Sequence, residues 1–132
     1  MIERFWGIIF KRARAAMITA GSPRKFWAEA VSYTVDVYNM MPSASRNMLS
    51  PYEILLHRKP PLGRIQPWGC LGMTRIPRTQ VTKGNMADRS RPLILFGFHG
   101  KDGYRMYNPS TARIVTSRSV SFHPDVYPFQ SP

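Results

Sequence analysis

Acids, cysteine, histidine and long apolar runs are all scarce in this sequence, and each shortage removes a class of function. Seven Asp and Glu stand against nineteen Lys and Arg in 132 residues. A single cysteine, Cys70, excludes a disulfide framework and a cysteine-based zinc site, and reads as a small buried hydrophobe between Trp68 and Leu71. The three histidines, His57, His99 and His123, lie far apart without ligand spacing, so no metal site is expected. No apolar run approaches the ~18 residues of a membrane-spanning helix, so a membrane is not expected among the partners. The first residues put Glu3 and Arg4 beside Phe5-Trp6 with no small-residue cleavage site, which does not read as a signal peptide. No Ser/His/Asp set, glycine-rich phosphate loop or Cys-His pair offers a reaction. An intracellular, reducing setting is the default expectation.

What the chain does have is positive charge and apolar pattern. A hydrophobic content of 43% argues for a folded chain. Residues 1–66 hold ten cations against four acids and residues 67–132 nine against three, so each half carries +6 of the total +12. Charge spread in this way describes a basic surface rather than a basic tail. The expected partner is a polyanion, DNA before membrane, although a merely solvated basic surface has the same composition.

Helical period runs over residues 2–20, with Phe5, Ile9, Ala13, Ala16 and Ala20 on one stripe and Trp6, Phe10 and Met17 beside it. Arg4, Lys11 and Arg14 occupy another face, either solvated or phosphate-contacting. Gly21 suits a left-handed helix end. Ser22-Pro23 reads as the start of a second helix, which Pro42 closes. Ser50-Pro51-Tyr52-Glu53 combines a capping serine and glutamate with proline at the first helical position, predicting a short helix to about His57. The stretch Arg58 to Arg64 is a stiff basic linker, and the domain boundary falls there.

Beyond it the period changes to alternation. Trp68 to Ile76 is a strand candidate, and Pro77 to Ser90 a polar, basic loop. Leu93 to Phe98, Tyr104 to Tyr107, Ile114 to Ser117 and Val120 to Phe122 follow as short strands. They are separated by a turn ending in Asp102-Gly103, a second at Asn108-Pro109-Ser110, and Arg118. The expected fold is α+β: helices over 1–58, a linker over 59–66, a small antiparallel β-barrel over 67–123 and a loose tail over 124–132, with few contacts across Pro60-Pro61. If Tyr104 and Met106 face the barrel core, Arg105 and Tyr107 alternate outward. With Arg75, Arg78, Lys83, Arg89, Arg91, Arg113 and Arg118 they make a candidate phosphate-gripping, base-stacking surface, ordinary β packing being the plainer account of the tyrosines.

Several motifs in one order carry a resemblance. Phe26-Trp27-Ala28-Glu29-Ala30, Ser50-Pro51-Tyr52-Glu53, Trp68-Gly69-Cys70, Leu95-Phe96-Gly97-Phe98, Gly103 to Pro109 (GYRMYNP) and Thr116 to Phe122 (TSRSVSF) follow the order and spacing of copia-type retrotransposon polyproteins. The resembling region is the end of the integrase and the retroviral polymerase SH3-like domain downstream of it. The resemblance implies that the helices are the remnant of an RNase H-like integrase core and that the barrel is SH3-like. It also implies DNA as partner, the remainder of the integrase or polyprotein as a second one, and a nuclear site of action. A complete integrase holds Mg²⁺ on two aspartates and a glutamate. Glu3, in Glu3-Arg4, resembles that third carboxylate, or is simply a helix-start acid. Asp36, Asp88, Asp102 and Asp125 are not placed to complete a set. The chain is therefore expected to be catalytically incomplete and to have no cofactor of its own. The alternatives are a protein-interaction module, facing the polyprotein or chromatin, and an inert decayed copy. Three departures from the family pattern fit decay or truncation: the loop Thr82 to Asp88, Ser119 in place of an aspartate, and Phe5-Trp6-Gly7 early in the first helix.

Overall fold

The computed structural model describes residues 2–43, 47–75, 90–100 and 102–130. Helix α1 spans Ile2–Ala20, and Gly21 follows it at φ 71°, the left-handed end expected from the sequence. A 3-10 turn at Arg24–Phe26 precedes α2, Trp27–Met40. Ser22 does not cap this segment with its side chain; its hydroxyl donates to the Pro23 carbonyl instead, and the α-helix starts later than Ser22-Pro23 suggests. Helix α3, Pro51–Leu56, begins as predicted, with the Ser50 hydroxyl accepting from the Glu53 N–H at 3.0 Å. His57, left-handed at φ 56°, ends it.

Five antiparallel strands follow: β1 Leu71–Arg75, β2 Ser90–His99, β3 Gly103–Asn108, β4 Arg113–Ser117 and β5 Val120–His123. They lie in the order β4-β3-β2-β1-β5. The fold class is α+β, as read from the sequence. The loop expected over 77–90 lies outside the described residues except for Ser90, which belongs to β2.

The strands at the two ends of that order are joined by Arg118 and Ser119 alone. Ser117 and Val120 are therefore three Cα steps apart, at most ~11 Å. Four interstrand spacings in a flat sheet would separate them by at least ~19 Å. The sheet must curl, and contacts across its concave side confirm that it does. Tyr104 of β3 meets Phe122 of β5 edge-on at 4.8 Å, although two strands lie between them. Gly72 of β1 leaves room for this closure: a Cβ there would sit 2.6 Å from the Met106 methyl and 2.7 Å from Val120. The hairpin between β2 and β3 uses its glycines differently from the expectation. Gly100 is the left-handed residue, at φ 62°, whereas Gly103 of the Asp-Gly pair lets the strand pass close to the His99 carbonyl.

One cluster of buried side chains joins the helices to the sheet, so the expectation of few contacts across Pro60-Pro61 fails. Ala13, Met17 and Ala20 of α1, Ala30 and Tyr33 of α2, and Trp68, Leu93 to Phe96 and Tyr107 belong to the same core. Phe26 is the joint: its ring lies 4.8 Å from Phe96 and 4.9 Å from Tyr107. An irregularity in β2 between Leu95 and Gly97 places Phe96 there, stacked on Trp68 at 5.3 Å. The Trp68 indole N–H in turn donates to the Phe96 carbonyl. The expected loose tail is fastened too. Phe129, in a 3-10 turn at Pro128–Gln130, stacks on Phe26 at 5.5 Å, and the Gln130 amide donates to the Thr19 carbonyl. The physical reason is shared: helix and sheet each carry an apolar face that water penalises, and the shortest way to bury both is against one another.

Candidate nucleic-acid interface

The expected DNA-contacting residues fare differently in the structure. Arg4, Lys11 and Arg14 are exposed along α1. Arg91 on β2, Arg113 at the start of β4 and Arg118 in the β4–β5 link are exposed around the sheet. None of these six makes an ion pair with another described residue, so their charge is available to a polyanion. Arg75 ends β1, paired in register with Ser90. Arg78, Lys83 and Arg89 lie outside the described residues.

Arg105 and Tyr107 do not join that surface. They leave the barrel interior as alternation requires, but α2 and the turn before it cover this side of β3. Arg105 forms a two-pronged ion pair with Glu29 of α2, at 2.7 and 2.8 Å, with the side chains 34% and 21% exposed. A guanidinium held in this fork geometry is committed to its carboxylate. Tyr107 is 9% exposed, and its ring packs against Phe96 at 5.0 Å as well as Phe26. Base stacking on Tyr107 would require the helices to leave.

Arg64, absent from the sequence-derived set, has a structural task. Its guanidinium sits over Phe98 at 5.0 Å and Tyr104 at 4.9 Å, and donates to the Gly100 and Gly103 carbonyls. The Tyr104 hydroxyl donates back to the Arg64 carbonyl at 3.0 Å. A residue inside a proline-rich linker gives no sequence signal for this role, because its partners lie 34 to 40 positions away. Tyr33 makes a comparable clamp, donating its hydroxyl to the Gln66 carbonyl and accepting from the Gln66 N–H at 3.0 Å.

A cleft of about 630 Å³ opens between α2, α3 and the β2–β3 hairpin, lined by Asp36, Tyr52, Arg58, Lys59, Phe98 and Asp102 among others. Loss of water raises the Asp36 carboxyl above its ordinary value, although the residue keeps an exposed side. Charges of both signs line this cleft. Glu3 is exposed in the first turn of α1, beside Trp6, Gly7 and Phe10. Among the described residues no group of three His, Cys, Asp or Glu side chains gathers around it or elsewhere.

Residues 70–132 match the family described as the retroviral polymerase SH3-like domain. Over 121 residues, 91% of this chain, the sequence is 28% identical to the retrovirus-related Pol polyprotein from transposon TNT 1-94 of Nicotiana tabacum. Those of transposons RE2 and RE1 of Arabidopsis thaliana are 24% and 23% identical over 113 residues, 85% of the chain. The chain spans 8–9% of the length of these relatives. No solved structure matches it significantly. The resemblance to copia-type polyproteins read from the motifs is thereby borne out. With α-helices preceding a curled five-stranded antiparallel sheet, and with these matches, the chain is a fragment of a retrotransposon Pol polyprotein that carries a retroviral polymerase SH3-like domain.

Proposed function

We propose that this fragment is the C-terminal part of an integrase and holds duplex DNA by its phosphates, without reading sequence, in support of DNA integration. The carrying observation is the set of exposed cations that form no ion pair with another described residue: Arg91, Arg113 and Arg118 around the sheet, and Arg4, Lys11 and Arg14 on α1. Phosphate contact of this kind positions a duplex and carries no base information directly. At physiological salt the dissociation constant is expected at about 10⁻⁴ to 10⁻⁶ M. With about four to six phosphates contacted, log K falls against log salt with a slope of roughly −4 to −5. A salt titration of fluorescence anisotropy on two unrelated duplexes measures it. Arg113→Ala with Arg118→Ala should flatten the slope by about two units on both duplexes, and lysine at both positions should restore it. Salt-independent binding would remove the proposal.

The same reading makes the fragment catalytically incomplete, with Glu3 as a vestigial third carboxylate and no companion aspartates beside it among the described residues. Given Mg²⁺ and processed DNA ends, the chain should leave strands neither cut nor joined. Strand joining that disappears in Glu3→Gln would overturn this part. A second reading, a protein-interaction module for another part of the polyprotein or chromatin, is favoured by Ile54, Leu55 and Leu56, all exposed on α3 and Leu55 by 77%. Binding to such a partner that persists at high salt would select it.

A further inference from the structure

Three aromatic side chains lie in a row on the outside of the helical layer. Trp6 and Phe10 are four residues apart on α1 and so share one stripe; Trp27 opens α2 beside them. The ring centroids of Trp6 and Phe10 are 5.4 Å apart with planes 29° from parallel, and those of Phe10 and Trp27 are 5.6 Å apart at 38°. Each of the three keeps about two-fifths of its surface in water: 39%, 43% and 39%. Large rings left this wet in a chain that buries Trp68 to 4% mark a surface kept for a ligand.

The row runs into a cleft of about 740 Å³ bordered by Trp27, Arg14, Arg24, Ile18 and Ser22. No acid lines the cleft, and neither arginine pairs with a described carboxylate. The acids near this row lie away from the arginines: Glu3 beside Trp6, and Asp36 in the hollow that Trp6 and Trp27 border on the other side. The site is thus aromatic along its length and cationic at one end only. A duplex offers this arrangement phosphates but no exposed base face. Unpaired nucleotides offer both, and flat rings beside guanidinium groups are the surface on which they stack.

We propose that the face formed by α1 and the start of α2 binds unpaired nucleotides, with bases against Trp6, Phe10 and Trp27 and phosphates at Arg14 and Arg24. This deepens the nucleic-acid reading above and rests on it. The face is separate from the strand arginines, so a DNA with a single-stranded end could use both.

The test compares three ligands of equal length at matched salt on the whole chain: a thymidine oligonucleotide, an abasic strand and a duplex. Tryptophan fluorescence reads Trp6 and Trp27 against Trp68, which is buried with its N–H on the Phe96 carbonyl and should not respond. The thymidine strand should quench emission and bind roughly ten-fold more tightly than the abasic strand, the usual scale of one base–aromatic contact. Trp27→Ala should remove that ten-fold and leave duplex binding unchanged. The exposed pair Arg14→Ser and Arg24→Ser should weaken both single strands. Circular dichroism verifies that each variant remains folded. Equal affinity for abasic and thymidine strands, or an unaltered Trp27→Ala, would overturn the proposal while leaving salt-dependent duplex binding standing. Self-association that is insensitive to salt and lost in Trp27→Ala would overturn it too, assigning the face to a second copy of the chain.

Discussion

On β3, Arg105 and Tyr107 leave the barrel interior and are covered by α2 and the turn before it. On neighbouring β4, Ile114 and Thr116 leave the sheet on the same side and remain exposed, Ile114 by 42%. The two strands are paired residue for residue, Arg105 with Thr116 and Tyr107 with Ile114. They differ only in what lies over them. Under the helices an arginine is fixed to a carboxylate and an aromatic becomes core; one strand further on, the residues paired with them stay in water. Alternation assigns a side chain to a face of the sheet, and the neighbouring layer decides what that face is for.

Truncating the covered flank should break this contrast most severely. Phe96→Ala empties a site with no exposed surface, stacked between Trp68 and Tyr107, and should cost about 3–5 kcal/mol, enough to unfold much of a marginally stable chain. Ile114→Ala on the open flank should cost about 0.5 kcal/mol or less. Urea denaturation of both variants measures the difference; equal losses would mean that the helices do not protect one side.

A middle-sized effect follows from the exclusion of water on the covered side. Burial pushes the Cys70 thiol up to about 11 from its ordinary 9.0, and raises the Tyr33 hydroxyl in the same direction. A folded-state pKa above the unfolded one means that the stability due to the neutral thiol is complete below pH 9 and is lost as the pH climbs toward 11. At pH 10.5 Cys70 alone should account for about 2 kcal/mol of that loss. Chemical denaturation at pH 8 and 10.5 tests it, with Cys70→Ala expected to show a smaller drop between the two pH values than the parent. An identical drop would place the alkaline weakness elsewhere.

The smallest effect sharpens the contrast between cations. A double-mutant cycle on Glu29 and Arg105 should return a coupling of about 1 kcal/mol, since solvent still reaches both side chains. Arg105→Ala should leave the DNA salt slope within about half a unit of the parent. A slope that falls by a full unit would return Arg105 to the DNA-binding set.

Much of the fold could be read locally because its signals are local. Ser50 and Glu53 are three residues apart and cap α3; Asn108 turns the chain by accepting from the Ser110 N–H at 3.0 Å; Gly21 ends α1. The strand positions followed from alternation between such turns. The two-domain expectation failed because its evidence lay at long range. Glu29 and Arg105 are 76 residues apart, and Thr19 and Gln130 are 111 apart, separations at which no periodicity or spacing rule operates. The candidate site divided in the same way. Exposure of Arg113 and Arg118 followed from their places beside turns, whereas the loss of Arg105 and Tyr107 required knowing that Phe26 and Glu29 fold back over β3. In the sequence Trp6 and Phe10 simply fall beside the apolar stripe of the first helix, since hydrophobic spacing does not tell a buried ring from one at the edge of its layer.

The fastening of Phe129 and Gln130 onto α1 and the turn before α2 has a consequence in time. Synthesis delivers Phe26 first, Phe96 and Tyr107 some 70 to 80 residues later, and Phe129 almost last. Until then the helices have no sheet to cover and their apolar side stays wet. A fold whose first and last segments lock each other assembles late and as one event, with a high contact order and a correspondingly slow rate. In this chain the helical layer is therefore finished by the strands and tail translated after it.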